Sequence, residues 1–334
     1  MMDVRIGVAG LAHFHIYQML DELMQVKGTK VVALADENIE FIEKASSKFN
    51  IPAYPNIAEM FKNSNVDIIV SAAINNQKVG IILQAIEMGI PIIVDKPMVT
   101  TLEDLDKVEK ALKCQRKSKL FMMLTERFNP ALYTAKNLIE AGEIGEVVNI
   151  ISLKPHRFNS SSRPEWFFDR RVYGGLINDL AVHDVDIFRW FTNSEVEDII
   201  AATSSNKRFN QFENFDDKSE VLVKMADGST GYIRVDWLTP DAFPFHGDYR
   251  LMVVGTKGQI EIYTANPKEP KVILCNDTKP PIEIPITPRK ASISEDFISC
   301  IMDEKLQAVV STEDALISTR VALNAQIISD RHIK

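Results

Sequence analysis

Cysteine is scarce: Cys114, Cys275 and Cys300 are odd in number, far apart and in no C-x-x-C pair. That excludes a disulfide framework and a cysteine zinc site, and it fits a reducing, cytoplasmic compartment. Long apolar runs are also missing, since stretches such as Ile68-Ile69-Val70 fall far short of the roughly 18 residues of a membrane span. Met1-Met2-Asp3-Val4-Arg5 leads straight into a strand pattern, with no signal-peptide layout. Positive charge is in deficit, with 38 Lys and Arg against 46 Asp and Glu for a net charge of −8, which argues against a nucleic-acid partner. No Ser/His/Asp order, nucleophile elbow, P-loop or internal repeat is present. What remains is an ordinary globular balance, 46 % hydrophobic and 25 % charged, which excludes disorder over most of the chain. A length of 334 residues suggests two domains.

The first third alternates between two hydrophobic periods. Short apolar strands are expected at Val4–Ala9, Lys30–Ala35, Val66–Ala72 and Ile90–Val94. Between them the pattern predicts helices, one with Leu20, Leu23 and Met24 on its face, others near Glu40–Phe49, Ile57–Lys62 and Val79–Met88. Such interleaving implies right-handed βαβ units and a parallel sheet covered on both faces. After about residue 124 the grammar changes. Helices are expected at Asn129–Ala141 and Gly175–Trp190, and a strand at Val147–Leu153. Two hairpins follow, one turning at Ala226-Asp227-Gly228 and one at Gly255-Thr256-Lys257-Gly258. The tail is helical at Ser292–Met302 and Glu313–Ile328. Val221, Val223, Ile233 and Val235 alternate as a broad antiparallel sheet requires, and a sheet covered by helices on one side leaves its other face for self-association.

Three places carry possible chemistry. The turn Gly10-Leu11-Ala12-His13-Phe14-His15 joins the first strand to the first helix, where a dinucleotide fold bears G-x-G-x-x-G. Only the first glycine is kept; Ala12 and His15 stand at the other two positions. Asp36, 26 residues after Gly10, is placed to bond the ribose hydroxyls of NAD and to repel the 2′-phosphate of NADP. The competing reading of Asp36 is a turn or helix cap before Ile39. Lys96, in Asp95-Lys96-Pro97, lies just past the carboxyl end of a strand, the side on which open α/β sheets bind ligands. There it could stabilise a developing alkoxide; otherwise it is an ordinary loop lysine. Asp179 and His183, four apart on a helix, share one face, so the carboxylate can orient the imidazole. The competing reading is a solvated acidic face, because Asp184 and Asp186 are close by. His13, His156, His246 and His332 form no spacing typical of a metal site, and no metal is expected.

The ordered set of motifs resembles the Gfo/Idh/MocA oxidoreductases, relatives of glucose–fructose oxidoreductase and myo-inositol dehydrogenase. The set comprises the dinucleotide turn, Val66-Asp67-Ile68-Ile69 with Asn75, Asp95-Lys96-Pro97, Arg127-Phe128-Asn129-Pro130, Gly142-Glu143-Ile144-Gly145, Gly174 to His183 followed by Asp186 and Trp190, and Gly255-Thr256-Lys257-Gly258. The chain departs from the family at Ala12, His15, Ile74 (for proline), Lys78 (for a frequent histidine) and Asp95 (for glutamate). The resemblance implies an α/β protein with a Rossmann NAD-binding domain, residues 1–123, and a second α/β domain on a large, mainly antiparallel sheet, residues 124–334. It implies an NAD-dependent dehydrogenase acting on a secondary hydroxyl or ketone of a sugar, inositol or related polyol. Lys96, Asp179 and His183 would be catalytic. Gly10, Ala12, His13, Phe14, His15, Asp36, Asn75 and Lys96 would hold NAD. Lys96, Arg127, His156, Arg163, Asn178, Asp179 and His183 would meet the substrate. A homodimer or homotetramer follows from the same likeness. The family fold also hosts NAD-assisted glycosidases and non-catalytic dinucleotide or sugar sensors, which remain as alternatives.

Overall fold

The computed structural model describes residues 3–115 and 118–331; His332 lies outside them. The chain divides into two compact units, Met1–Leu124 with Arg171–Gly174 and Ala291–Thr319, and Thr125–Arg170 with Gly175–Lys290 and Arg320–Lys334.

In the first unit the elements run β1 (Val4–Ala9), α1 (His15–Leu23), β2 (Thr29–Ala35), α2 (Ile39–Phe49), β3 (Ala53–Tyr54), α3 (Ile57–Asn63), β4 (Ile68–Ser71), α4 (Lys78–Glu87), β5 (Ile92–Val94), α5 (Leu102–Cys114) and β6 (Leu120–Met122). The strands are all parallel, in the order β3-β2-β1-β4-β5-β6. This is the dinucleotide-binding order, with its crevice where the winding reverses beside β1 and β4. The strands read as unbroken apolar runs because they are covered on both faces; Ile6, Val8 and all of β4 are buried. In α1 the buried face is Ile16, Met19, Leu20 and Leu23, whereas Met24 ends the helix and is half exposed. The sequence pattern did not single out α5 and β6. The helix is mostly charged and buries only Leu105 and Val108, so its apolar period is thin; Thr101 caps it by accepting from the Asp104 N–H.

The second unit holds α6 (Pro130–Glu140), β7 (Val147–Pro155), the short α7 (Arg170–Tyr173, whose first residue alone belongs here), α8 (Val182–Thr192), β8 (Val196–Ser205), β9 (Lys218–Met225), β10 (Thr230–Asp236), β11 (Arg250–Gly255), β12 (Gly258–Tyr263), β13 (Lys271–Asn276) and β14 (Lys279–Glu283). They make one eight-stranded sheet, β14-β13-β12-β11-β7-β10-β9-β8, antiparallel except for the β7–β10 pair. Both expected hairpins form. Val221, Val223, Ile233 and Val235 lie on the helix-covered face, where the missing side chain of Gly231 makes room for Phe188 of α8. The opposite face presents the cross-strand row Leu222, Tyr232, Ile151 and Met252, each partly exposed. The tail forms α9 (Ile293–Met302), with Phe297 stacked on Phe121 inside the first unit, and α10 (Thr312–Arg331).

Candidate functional site

In the first unit the β1–α1 turn is tied to both neighbouring strands. Gly10 donates to the Ala35 carbonyl at 2.9 Å, and His13 donates to the Ala72 carbonyl at 2.8 Å. Gly10 has φ +87°, and a Cβ there would sit 2.4 Å from the Ala73 Cβ, so this position requires glycine. Asp36 is not the cap of α2. Asn38 takes that role by accepting from the Glu40 N–H, while Asp36 Oδ2 accepts from the Leu11 N–H at 2.7 Å and Oδ1 from the Asn38 N–H at 2.8 Å. The carboxylate therefore stands at the end of β2 against the glycine turn. It borders a cleft of about 910 Å³ whose walls include Gly10, Ala12, Asp36, Ala73, Ile74 and Gln77. A polar acceptor at the rim and a turn that admits no Cβ suit the adenosine and diphosphate of a dinucleotide.

Asn75 is buried and donates to the Tyr173 carbonyl at 2.8 Å. Phe14 is exposed at the start of α1, stacked against His13. Lys96 follows β5, with a cis bond to Pro97. Lys78, fully buried, donates to the carbonyls of Asp95 at 3.1 Å and Pro97 at 2.9 Å, the two residues flanking Lys96. Asp95 itself is buried between His13 and His15. Burial opposes its charge, yet His15, Lys78 and His13 outweigh that and hold the carboxyl well below its usual range. His13 is pushed down to about 3, chiefly by burial, and is neutral at physiological pH.

In the second unit, Asp179 and His183 flank a change of helix type. Residues Ile177–Ala181 form a π-helical segment that passes directly into α8, and all five are buried. Such bulges recur at functional sites because they re-aim side chains within a helix. Gly175, at φ +93°, leaves the space into which Gln326 extends to accept from the Ile177 N–H at 2.9 Å. Asn178, Asp179 and His183 are all buried. The acidic face anticipated beside them is not solvated. Asp186 takes two hydrogen bonds from Arg127, at 2.8 and 2.7 Å, in a buried pair. Asp184 accepts from Ser152 at 2.5 Å and lies 3.4 Å from buried Lys154, which also meets Glu126. The sequence pattern did not single out Lys154, because its partners are about 30 positions away in either direction.

His156 contacts the Lys154 carbonyl at 3.0 Å through Nδ1 and packs against Trp237, His246 and Tyr249. Arg163 lies 4.7 Å from the ring centres of both Phe167 and Trp237, beside a cluster that includes Phe158, Phe168, Phe212 and Phe215. Six of the seven residues expected at the substrate thus fall in this unit; Lys96 falls in the other.

Two sequence models of one family match the chain: the oxidoreductase family with NAD-binding Rossmann fold at residues 4–124, and the GFO/IDH/MocA C-terminal domain at residues 132–261. The chain belongs to the Gfo/Idh/MocA oxidoreductase family. Its members are NAD-dependent enzymes acting on CH–OH groups, and NAD is the cofactor of this one. Among curated relatives, the scyllo-inositol 2-dehydrogenase (NAD(+)) of Bacillus subtilis (strain 168) is 25 % identical over 97 % of this chain and 93 % of its own. The myo-inositol 2-dehydrogenase of Thermotoga maritima is 25 % identical over 82 % of this chain and 79 % of its own. A solved aldose-aldose oxidoreductase from Caulobacter crescentus, 19 % identical, shares the fold of this Gfo/Idh/MocA chain, with a TM-score of 0.84 over 99 % of this chain and 98 % of that one. No helix among the described residues is long and apolar enough to cross a membrane.

Proposed function

We propose that this oxidoreductase oxidises a secondary hydroxyl of an inositol, sugar or related polyol, or runs the reverse reduction, in the cytoplasm. Bound NAD supplies the hydride acceptor at its nicotinamide. His183 takes the hydroxyl proton, Asp179 orients that imidazole, and Lys96 stabilises the alkoxide-like oxygen. In this reading residues 1–123 hold the cofactor and residues 124–334 hold the substrate and the subunit interface. Asn178, His156 and Arg163 select the substrate. Arg127 joins them on the substrate side, while its Nε and Nη2 donate to Asp186 and brace α8.

The observation that carries the reading is the burial of an acid and an imidazole, Asp179 and His183, one turn apart across a π-helical bulge. Buried polar groups of this kind are unfavourable unless they are partnered or used. The names of the inositol 2-dehydrogenase relatives support the polyol class. The test is a panel of inositols, aldoses and sugar acids with NAD+, read as NADH absorbance. Turnover is expected with at least one cyclic polyol or sugar. Sugar release from a glycoside with no net NADH would instead make the protein an NAD-assisted glycosidase.

A further inference from the structure

Two imidazoles and a carboxylate converge at the start of α1. Asp95 Oδ1 lies 3.0 Å from His15 Nδ1, and Asp95 Oδ2 lies 3.2 Å from His13 Nδ1. One ligand atom from each of the three residues falls within 4.8 Å of the other two. Asp95 is 2 % exposed, yet its Oδ2 accepts no hydrogen bond among the described residues. His13 Nδ1 also receives the main-chain N–H of His15, at 3.3 Å. A buried carboxylate oxygen with no hydrogen bond among the described residues thus lies beside two imidazoles, an arrangement that a bound cation relieves.

We propose that His13, His15 and Asp95 bind a divalent transition ion of the zinc class. The donor set is two imidazole nitrogens and a carboxylate, which suits zinc and its neighbours; magnesium and calcium call for more oxygen ligands than this cluster offers. Tetrahedral zinc, with bonds of about 2.0–2.1 Å, separates adjacent ligand atoms by roughly 3.3 Å. The 3.0 and 3.2 Å approaches reach different oxygens of Asp95; with one oxygen as ligand the three donor atoms lie within 4.8 Å of one another, a span that side-chain rotation closes. Three protein ligands leave a further position open. Two of the three ligands are also supported from behind: Lys78 fixes the main chain of Asp95, and the His13 N–H is bonded to Ala72. The site was invisible in sequence because Asp95 is 80 residues from His15. It does not depend on which substrate is oxidised.

The test uses the full chain stripped of metal by chelation and titrated with Co2+. The visible bands of a tetrahedral site are expected, to be abolished by one equivalent of Zn2+. His15→Ala is expected to weaken Zn2+ binding by about 100-fold or more, at least the loss seen when an outer support is removed. His15→Gln serves as the second variant if His15→Ala does not fold, and circular dichroism checks both. Absence of Co2+ bands in the unmodified protein, with Zn2+ held no more tightly than by the variant, would leave a hydrogen-bonded triad only. Bands that persist undiminished in the His15 variant would put the ion elsewhere. Either result overturns the proposal.

Discussion

His183 sits at the first turn of α8, directly after the π-helical segment that carries Asp179. As the base in oxidation it must be neutral, so kcat/KM should rise with pH as the imidazole loses its proton. His183→Ala should lower kcat by about 10²–10⁴-fold with NAD affinity nearly unchanged, and should abolish that ascending limb. A pH–rate profile with a confirmed substrate measures both; a surviving limb would make His183 a structural residue. At the other end of the chemistry, Asp36 should set cofactor choice through its charge at the cleft rim. Asp36→Ala should weaken NAD+ and narrow its advantage over NADP+, because repulsion of the 2′-phosphate goes while the Leu11 N–H loses its acceptor. Fluorescence titrations with both cofactors at low salt decide it, and equal binding by the unmodified protein would contradict the assignment. A third residue bears on stability. Burial pushes the Asp216 carboxyl up to about 6; Arg170 opposes this, while Asp330 and Asp217 add to it. The folded form then binds more protons than the unfolded chain between about pH 4 and 6, so this group's stabilisation is full below pH 4 and lost as pH rises through 6. Asp216→Asn should therefore raise stability at pH 7 by about 2 kcal/mol and change little at pH 4, as read from urea midpoints.

At the scale of elements, periodicity was a good guide where one apolar stripe was long enough. β1, β2, α2, α3 and α6 lie within a residue or two of their expected limits. Where the stripe was thin, as in charged α5, or where a strand was short, as in β6, it was not. The expected single helix at Gly175–Trp190 is instead a π-helical segment and α8, a break supported by a distant side chain. Gln326 accepts the buried Ile177 N–H in the space left by Gly175. Gln326→Ala should strand that donor and cost about 1–3 kcal/mol, measured by chemical denaturation. An unchanged midpoint would mean water or another acceptor replaces it. The acidic cluster shows the same limit of local reading. Asp184 and Asp186 look like a wet face in one dimension, but the fold supplies Lys154 and Arg127 and buries all four side chains.

For the whole molecule, the row Leu222, Tyr232, Ile151 and Met252 on the uncovered sheet face is the surface on which self-association is expected. Sedimentation at micromolar concentration should show a species larger than 37.7 kDa, and Leu222→Arg with Met252→Arg should shift it toward monomer. A clean monomer of the unmodified chain would refute this. The class of fold, the alternation of strands and helices in the first third and the dinucleotide turn were determined by the sequence alone, as was the four-residue spacing of Asp179 and His183. They depend on short-range patterns: alternation sets which face of a strand or helix is buried, and a glycine or a four-residue spacing acts within one turn. Only the tertiary structure decided which polar groups meet. It seated Asp36 on Leu11, Arg127 on Asp186, and both His13 and His15 on Asp95. Those partners are separated by 25 to more than 80 positions. Their meeting depends on strand order and helix docking, which bring the ends of distant segments together and which no local period encodes.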